Sequence, residues 1–138
     1  MSYLLDTNII SELARAKPEP RVTRWLAEIP IESLFLSVIT LGELRRGVEH
    51  LPAGARREKL RRWLERDLRD WLDSRLLPID AKVADRWGRL VAAAPRTPPA
   101  IDSLLAATAL EHDLRLVTRD ERDFDFPGLT VINPWHAA

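Results

Sequence analysis

The chain has 138 residues, 46% of them apolar and 30% charged, and its 21 basic and 21 acidic side chains cancel. That length fits one domain, read here as residues 1–138, with little room for a second. Zero net charge argues against indiscriminate polyanion binding, no apolar run approaches the roughly 20 residues of a membrane span, and the lack of cysteine excludes disulfides and thiolate metal sites.

The first β-type run is Tyr3–Leu5, followed at once by Asp6, Thr7 and Asn8 and then by the helix-like stretch Ile9–Ala16. Asp6 interrupts the only apolar stretch near the N-terminus, which has no basic flank, so no signal peptide is expected and the protein is placed in the cytoplasm. A second strand is expected at Leu34–Ser37. After it Val38, Leu41, Leu44, Val48 and Leu51 step by three and four and form one apolar helical stripe. Leu60, Trp63, Leu64, Trp71 and Leu72 repeat that pattern. Leu76–Ile79 reads as a strand, and Val83, Trp87, Leu90 and Val91 as a helix with Asp80 as its N-cap. A further helix is expected over Pro98–His112, with Thr97 as cap and Pro98 in first position. Strands at Leu116–Thr118 and Leu129–Ile132 complete the chain. Strand–helix alternation of this kind predicts a single α/β domain with a central parallel sheet flanked by helices.

Ligands of such sheets bind beyond the carboxyl ends of the strands, which selects among the acids. Asp6 directly follows one strand run and Asp120 another. Asp6 alone is explained equally well as a helix cap, although one cap does not need three consecutive oxygen-bearing side chains. Glu43 lies in the early turns of a helix with Thr40 and Gly47 on its face; an ordinary first-turn glutamate is the plainer reading. Gly47, costly inside a helix, points to a close approach there. Asp102 sits among Ile101, Leu104, Leu105 and alanines, where an acid is costly unless paired or metal-bound. Asp120 has Glu121 and Asp123 beside it, and a solvated acidic turn would also explain that group. Acids converging at strand ends would require a cation, and hard oxygen donors suit Mg2+ or Mn2+. The histidines His50, His112 and His136 lack zinc-type spacing, and no glycine-rich phosphate loop precedes a lysine.

Taken together, these segments resemble the PIN-domain nucleases, and within them the VapC and FitB type of toxin. The likeness is carried by Leu5-Asp6-Thr7-Asn8, Thr40-Leu41-Gly42-Glu43, Ile101-Asp102-Ser103, Thr118-Arg119-Asp120 with Asp123-Phe124, and Asn133-Pro134-Trp135. Singly these motifs are weak; in this order they are specific. The resemblance implies a PIN-like fold and an endoribonuclease in which Asp6, Glu43, Asp102 and Asp120 surround Mg2+ or Mn2+ and hold a metal-activated water. It implies Thr7 and Asn8 as hydrogen-bonding support for the first carboxylate, a homodimer, and inhibition by a cognate antitoxin whose C-terminal segment covers the site. DNA would be reached only through the antitoxin. Many members carry Asn where this chain has Asp120, so Asp123 is a rival for the fourth position; Asp120, nearer the strand end, is preferred.

The segment Ala55–Asp70 carries seven basic residues against Glu58, Glu65, Asp67 and Asp70. It reads either as an RNA-backbone contact or as a solvated face of pairs such as Glu58–Arg62 and Glu65–Arg69. Two other functions compete with the nuclease. A haloacid-dehalogenase-like phosphatase would need a second acid where Asn8 stands. A non-catalytic module acting with an antitoxin on operator DNA is compatible with catalysis in the same protein.

Overall fold

A computed structural model describes residues 1–136. Five strands form one parallel sheet: β1 (Tyr3–Leu5), β2 (Leu34–Ser37), β3 (Leu76–Leu77), β4 (Arg115–Val117) and β5 (Val131–Ile132), in the order β3-β2-β1-β4-β5. The helices are α1 (Thr7–Leu13), α2 (Pro20–Ala27), α3 (Val38–Glu49), α4 (Ala55–Arg62), α5 (Leu68–Leu72), α6 (Ala81–Ala93) and α7 (Ala100–Glu111). β1 is the central strand, paired in parallel with β2 (Tyr3 to Leu34) and with β4 (Leu4 to Leu116). The chain builds outward from β1 on one side, then returns to add β4 and β5 on the other. The strand order therefore reverses between β1 and β4, which is where open parallel sheets place their crevice.

Side chains alternate across the pleat, and that alternation assigns the two cores. Tyr3, Leu5, Leu34, Leu36 and Val117 point to the face covered by α1 to α5, meeting Ile9, Ile10, Leu44, Val48, Leu64, Leu68 and Leu72. Leu4 and Leu116 point to the other face, where Leu105, Ala109, Leu114 and Phe124 receive them. α7 buries every residue from Leu105 to Ala109 because it lies between the sheet and α6. A helix apolar on all sides belongs in such an inner layer.

Several expected boundaries move, each for a local reason. The third strand stops at Leu77 because Pro78 has no N–H for the ladder. α7 begins at Ala100, not Pro98. Pro98 precedes Pro99, which forces it out of helical geometry, and Pro99 stands at the cap with φ −55° and ψ 139°, an extended backbone. Thr97 is therefore no cap. Asp80 does cap α6, accepting from the Val83 N–H at 2.9 Å. α4 and α5 are joined by a π-helical turn over Trp63–Asp67. Its wider winding keeps Leu64, Leu68 and Leu72, spaced by four, aligned on the core.

α7 ends in a Schellman motif. The Leu114 N–H reaches the Ala109 carbonyl at 2.8 Å and the Asp113 N–H reaches Leu110 at 3.4 Å, which obliges Asp113 to adopt φ +53°. Glycine adopts that left-handed conformation without the Cβ penalty. Asp113→Gly is therefore expected to stabilise the fold by about 0.5–1 kcal/mol, read from urea midpoints at unchanged slope. A midpoint below wild type would mean that the Asp113 side chain contributes more than its backbone costs.

Candidate active site

Parallel pairing brings the carboxyl ends of β1, β2 and β4 to one edge, and the acids follow from what comes next in the chain. Asp6 leaves β1 and caps α1, accepting from the Thr7 N–H at 2.7 Å. Glu43 comes from α3, whose start is fixed by Ser37 accepting from the Ile39 N–H at 3.0 Å. Asp102 lies in the first turn of α7 and Asp120 just beyond β4. Asp6, Glu43, Asp102 and Asp120 line one open cleft of about 550 Å³. Asp123 lines an adjoining cleft, with Asp120 shared between the two.

Thr7 and Asn8 both donate to Asp6, through the Thr7 N–H and the Asn8 amide, and further hydrogen bonds join these. The Thr7 hydroxyl donates to Glu43, not to Asp6, at 2.6 Å. Asn8 donates chiefly to Asp120 at 3.1 Å and to the Thr118 hydroxyl at 3.3 Å, with Asp6 at the 3.5 Å limit. Asp6 also accepts from the hydroxyl of Thr118, which is fully buried, at 2.8 Å. Thr118 also accepts from the Asp120 N–H at 3.0 Å, so one hydroxyl ties two acids together. Its only sequence signal is its place at the end of a strand run. Glu12, one helical turn after Asn8, also reaches the cleft. It is buried, accepts from Arg15 at 3.2 Å and from the Glu19 N–H at 2.9 Å, and so ties α1 to the start of α2.

Burial raises the pKa of Asp6; Thr118 and the Thr7 N–H oppose that rise, and the charges of Glu43 and Asp120 add to it. Asp102 is pushed up to about 6, first by burial and then by the charges of Asp123, Asp6, Glu43 and Asp120. Asp123 thus acts on Asp102 more strongly than Asp120 does, although Asp120 shares its cleft. Both Asp120 and Asp123 are exposed; the hydrogen bonds favour Asp120 as the ordered acid, since Asn8 donates to its carboxylate and Thr118 accepts from its N–H.

These are hard oxygen donors with no cation paired to Asp6, Glu43, Asp102 or Asp120 among the described residues. Among those residues, no three acids or histidines stand close enough together to hold a metal ion of any kind by themselves, so an ion here would rely on waters or substrate for its remaining ligands. That openness fits magnesium, which keeps several waters and takes one or two carboxylates. Gly47 differs from expectation: a Cβ there would meet nothing within 4 Å. It borders instead an apolar groove of about 300 Å³ beside the acids, walled by Ile10, Leu44, Val48, Leu60 and Trp63. The basic segment pairs otherwise than expected, through Arg61 with Glu49 and Glu58 and through Arg45 with Glu49 and Glu65. No described helix is long and apolar enough to cross a membrane.

Comparison with known proteins agrees with this geometry. Residues 3–127 match the model of the PIN domain. The chain is 41% identical to VapC ribonuclease Y4jK of Sinorhizobium fredii over 138 residues, covering 98% of this chain and 99% of that protein. It is 39% identical to toxin FitB of Neisseria gonorrhoeae over 136 residues, covering 96% and 98%. The structure of FitAB bound to an IR36 DNA fragment superposes with a TM-score of 0.89 at 35% identity, covering 99% of this chain and 97% of that one. Fold and full-length similarity agree: the chain belongs to the PIN-domain family, among its VapC- and FitB-like members.

Proposed function

We propose that the protein is a divalent-metal-dependent endoribonuclease, the toxin of a toxin–antitoxin pair acting in the cytoplasm as a homodimer. The observation that carries this reading is the convergence of Asp6, Glu43, Asp102 and Asp120 at the strand-order reversal. The ribonuclease and toxin named among its relatives support RNA as the substrate. When bound, Mg2+ or Mn2+ supplies a lowered pKa for a coordinated water and neutralises charge on a phosphodiester.

The chain's own residues prepare the site for that cation. Thr118 and the Thr7 N–H fix Asp6, the Thr7 hydroxyl fixes Glu43, and Asn8 braces Asp120. Each carboxylate keeps lone pairs for the cleft while its orientation is held. Asp102, with its raised pKa, gives up its proton in favour of a cation, so cation binding is favoured as pH rises through about 6. Asn8 donates to Asp120 and cannot supply the proton that a phosphatase would need. The apolar groove beside Glu43 suits an antitoxin segment that also covers the acids. The structure of FitAB bound to an IR36 DNA fragment favours a second role, acting with an antitoxin on operator DNA.

The test is cleavage of structured RNAs titrated with magnesium and manganese, with chelator as control. Metal-dependent cleavage is expected; activity indifferent to chelator would sink the mechanism. In the same assay Asp120→Ala is expected to raise the metal concentration for half-maximal activity about tenfold or more, and Asp123→Ala less. The reverse ranking would transfer the fourth position to Asp123.

A further inference from the structure

The acid cleft cannot by itself hold a polyanion, so a strand that enters it needs a cationic grip nearby. A second cleft of about 470 Å³ opens against the first, and Arg119, Asp120 and Trp135 line both. Most cations around these clefts are already taken up. Arg15 pairs with Glu12 at 3.2 Å, Arg21 with Glu19 at 2.6 Å, and His136 lies 3.4 Å from Glu121. Among the described residues the Arg119 guanidinium has no hydrogen-bond or carboxylate partner; Glu19, whose charge it feels, is itself paired with Arg21. Arg122 lines only the outer cleft.

Arg119 is also held in place. Its backbone N–H donates to the Asn8 side-chain Oδ1 at 3.3 Å and its backbone carbonyl accepts from the Asn133 amide at 3.3 Å. Its guanidinium lies 5.2 Å over the ring of Trp135. Trp135 is 7% exposed, and its backbone N–H donates to Asn133 Oδ1 at 2.9 Å. A guanidinium stacked on one face keeps its edge donors free, and that planar fork matches two phosphate oxygens. Asn8 joins this brace to the acids, because the same side chain donates to Asp120.

We propose that Arg119 grips the RNA phosphodiester adjoining the one at the acids, and that the cleft over Trp135 carries the strand out of the site. The proposal rests on the nuclease reading and adds the direction of the strand. Its test is binding of a labelled single-stranded RNA oligomer by fluorescence anisotropy in chelator, where nothing is cleaved, across a salt series. Arg119→Met keeps an apolar stem over Trp135 and loses the charge; Arg119→Gln is a second neutral variant. Arg89→Met, an exposed cation on α6 that lines neither cleft, controls for net charge. Both Arg119 variants are expected to bind about five- to tenfold more weakly at 0.1 M salt, with a log–log salt slope shallower by about 0.7. Their melting temperatures should stay near wild type.

Binding and slope equal to wild type, or a loss no greater than that of Arg89→Met, would overturn the assignment. A drop in melting temperature that accounts for the weaker binding in both neutral variants would likewise overturn it, leaving Arg119 a packing residue. Wild-type cleavage with Mg2+ is scored separately. Its absence beside Arg119-dependent binding overturns the nuclease reading alone, and its presence beside Arg119-independent binding overturns this proposal alone.

Discussion

Asp102→Asn is expected to lower kcat/KM for RNA cleavage by about a thousandfold, or about 4 kcal/mol of transition-state stabilisation, while making the metal-free protein more stable. The two effects share one cause. Asp102 faces four other acids, and its folded pKa of about 6 lies above the unfolded value, near 4. Between those values the folded state binds more protons than the unfolded one. Its stabilising contribution is full below pH 4, is lost as pH rises to about 6, and leaves a penalty that persists at neutral pH. Asn removes the penalty. Because Asp102 is partly solvated, screening reduces the gain to about 1 kcal/mol, or about 3 °C in Tm at this chain length. Magnesium or manganese should raise the wild-type Tm by binding the folded state alone, and raise that of Asp102→Asn less. Melts in chelator-washed buffer, with and without metal, measure both. A variant clearly less stable than wild type without metal, with no metal shift in either protein, would mean that the acids do not act as one site.

The largest effect on stability is expected from Leu4→Ala. Leu4 is fully buried in the central strand and packs among Leu105, Ala109, Leu116 and Phe124. Truncation removes transfer energy and leaves a cavity between layers that cannot both relax, a loss of about 3–4 kcal/mol, or roughly 10 °C in Tm. Asp6 is two residues away, so cleavage should also fall below the permissive temperature. A loss under about 1 kcal/mol, measured by urea unfolding, would mean that the two layers close over the gap.

The strands were readable because a parallel sheet covered on both faces leaves short continuous apolar runs, as in Tyr3, Leu4 and Leu5, all buried; which core each side chain enters was not. Asp6 and Asp120 could be singled out by their position after strand runs. Long-range support was not readable: Thr118 bonds Asp6 across 112 positions and Thr7 bonds Glu43 across 36. Helical periodicity reports which face a side chain occupies, not which partner waits there. Local chemistry also misled where two rules competed. Pro98 suits a first helical position, but the Pro99 that follows forbids it. Gly47 reads as a point of close approach, yet it faces open space beside the apolar groove.

The return of the chain to place β4 against β1 has a consequence in time. During synthesis the central strand emerges early, while its second neighbour follows more than a hundred residues later. At about 5–20 residues per second, that interval is on the order of 5–20 s. Throughout it β1 has an unpaired edge, Asp6 lacks the hydroxyl of Thr118, and Asp120 does not yet exist. Whatever the cleft does to RNA, the ribosome that makes the chain is out of its reach until synthesis is nearly over.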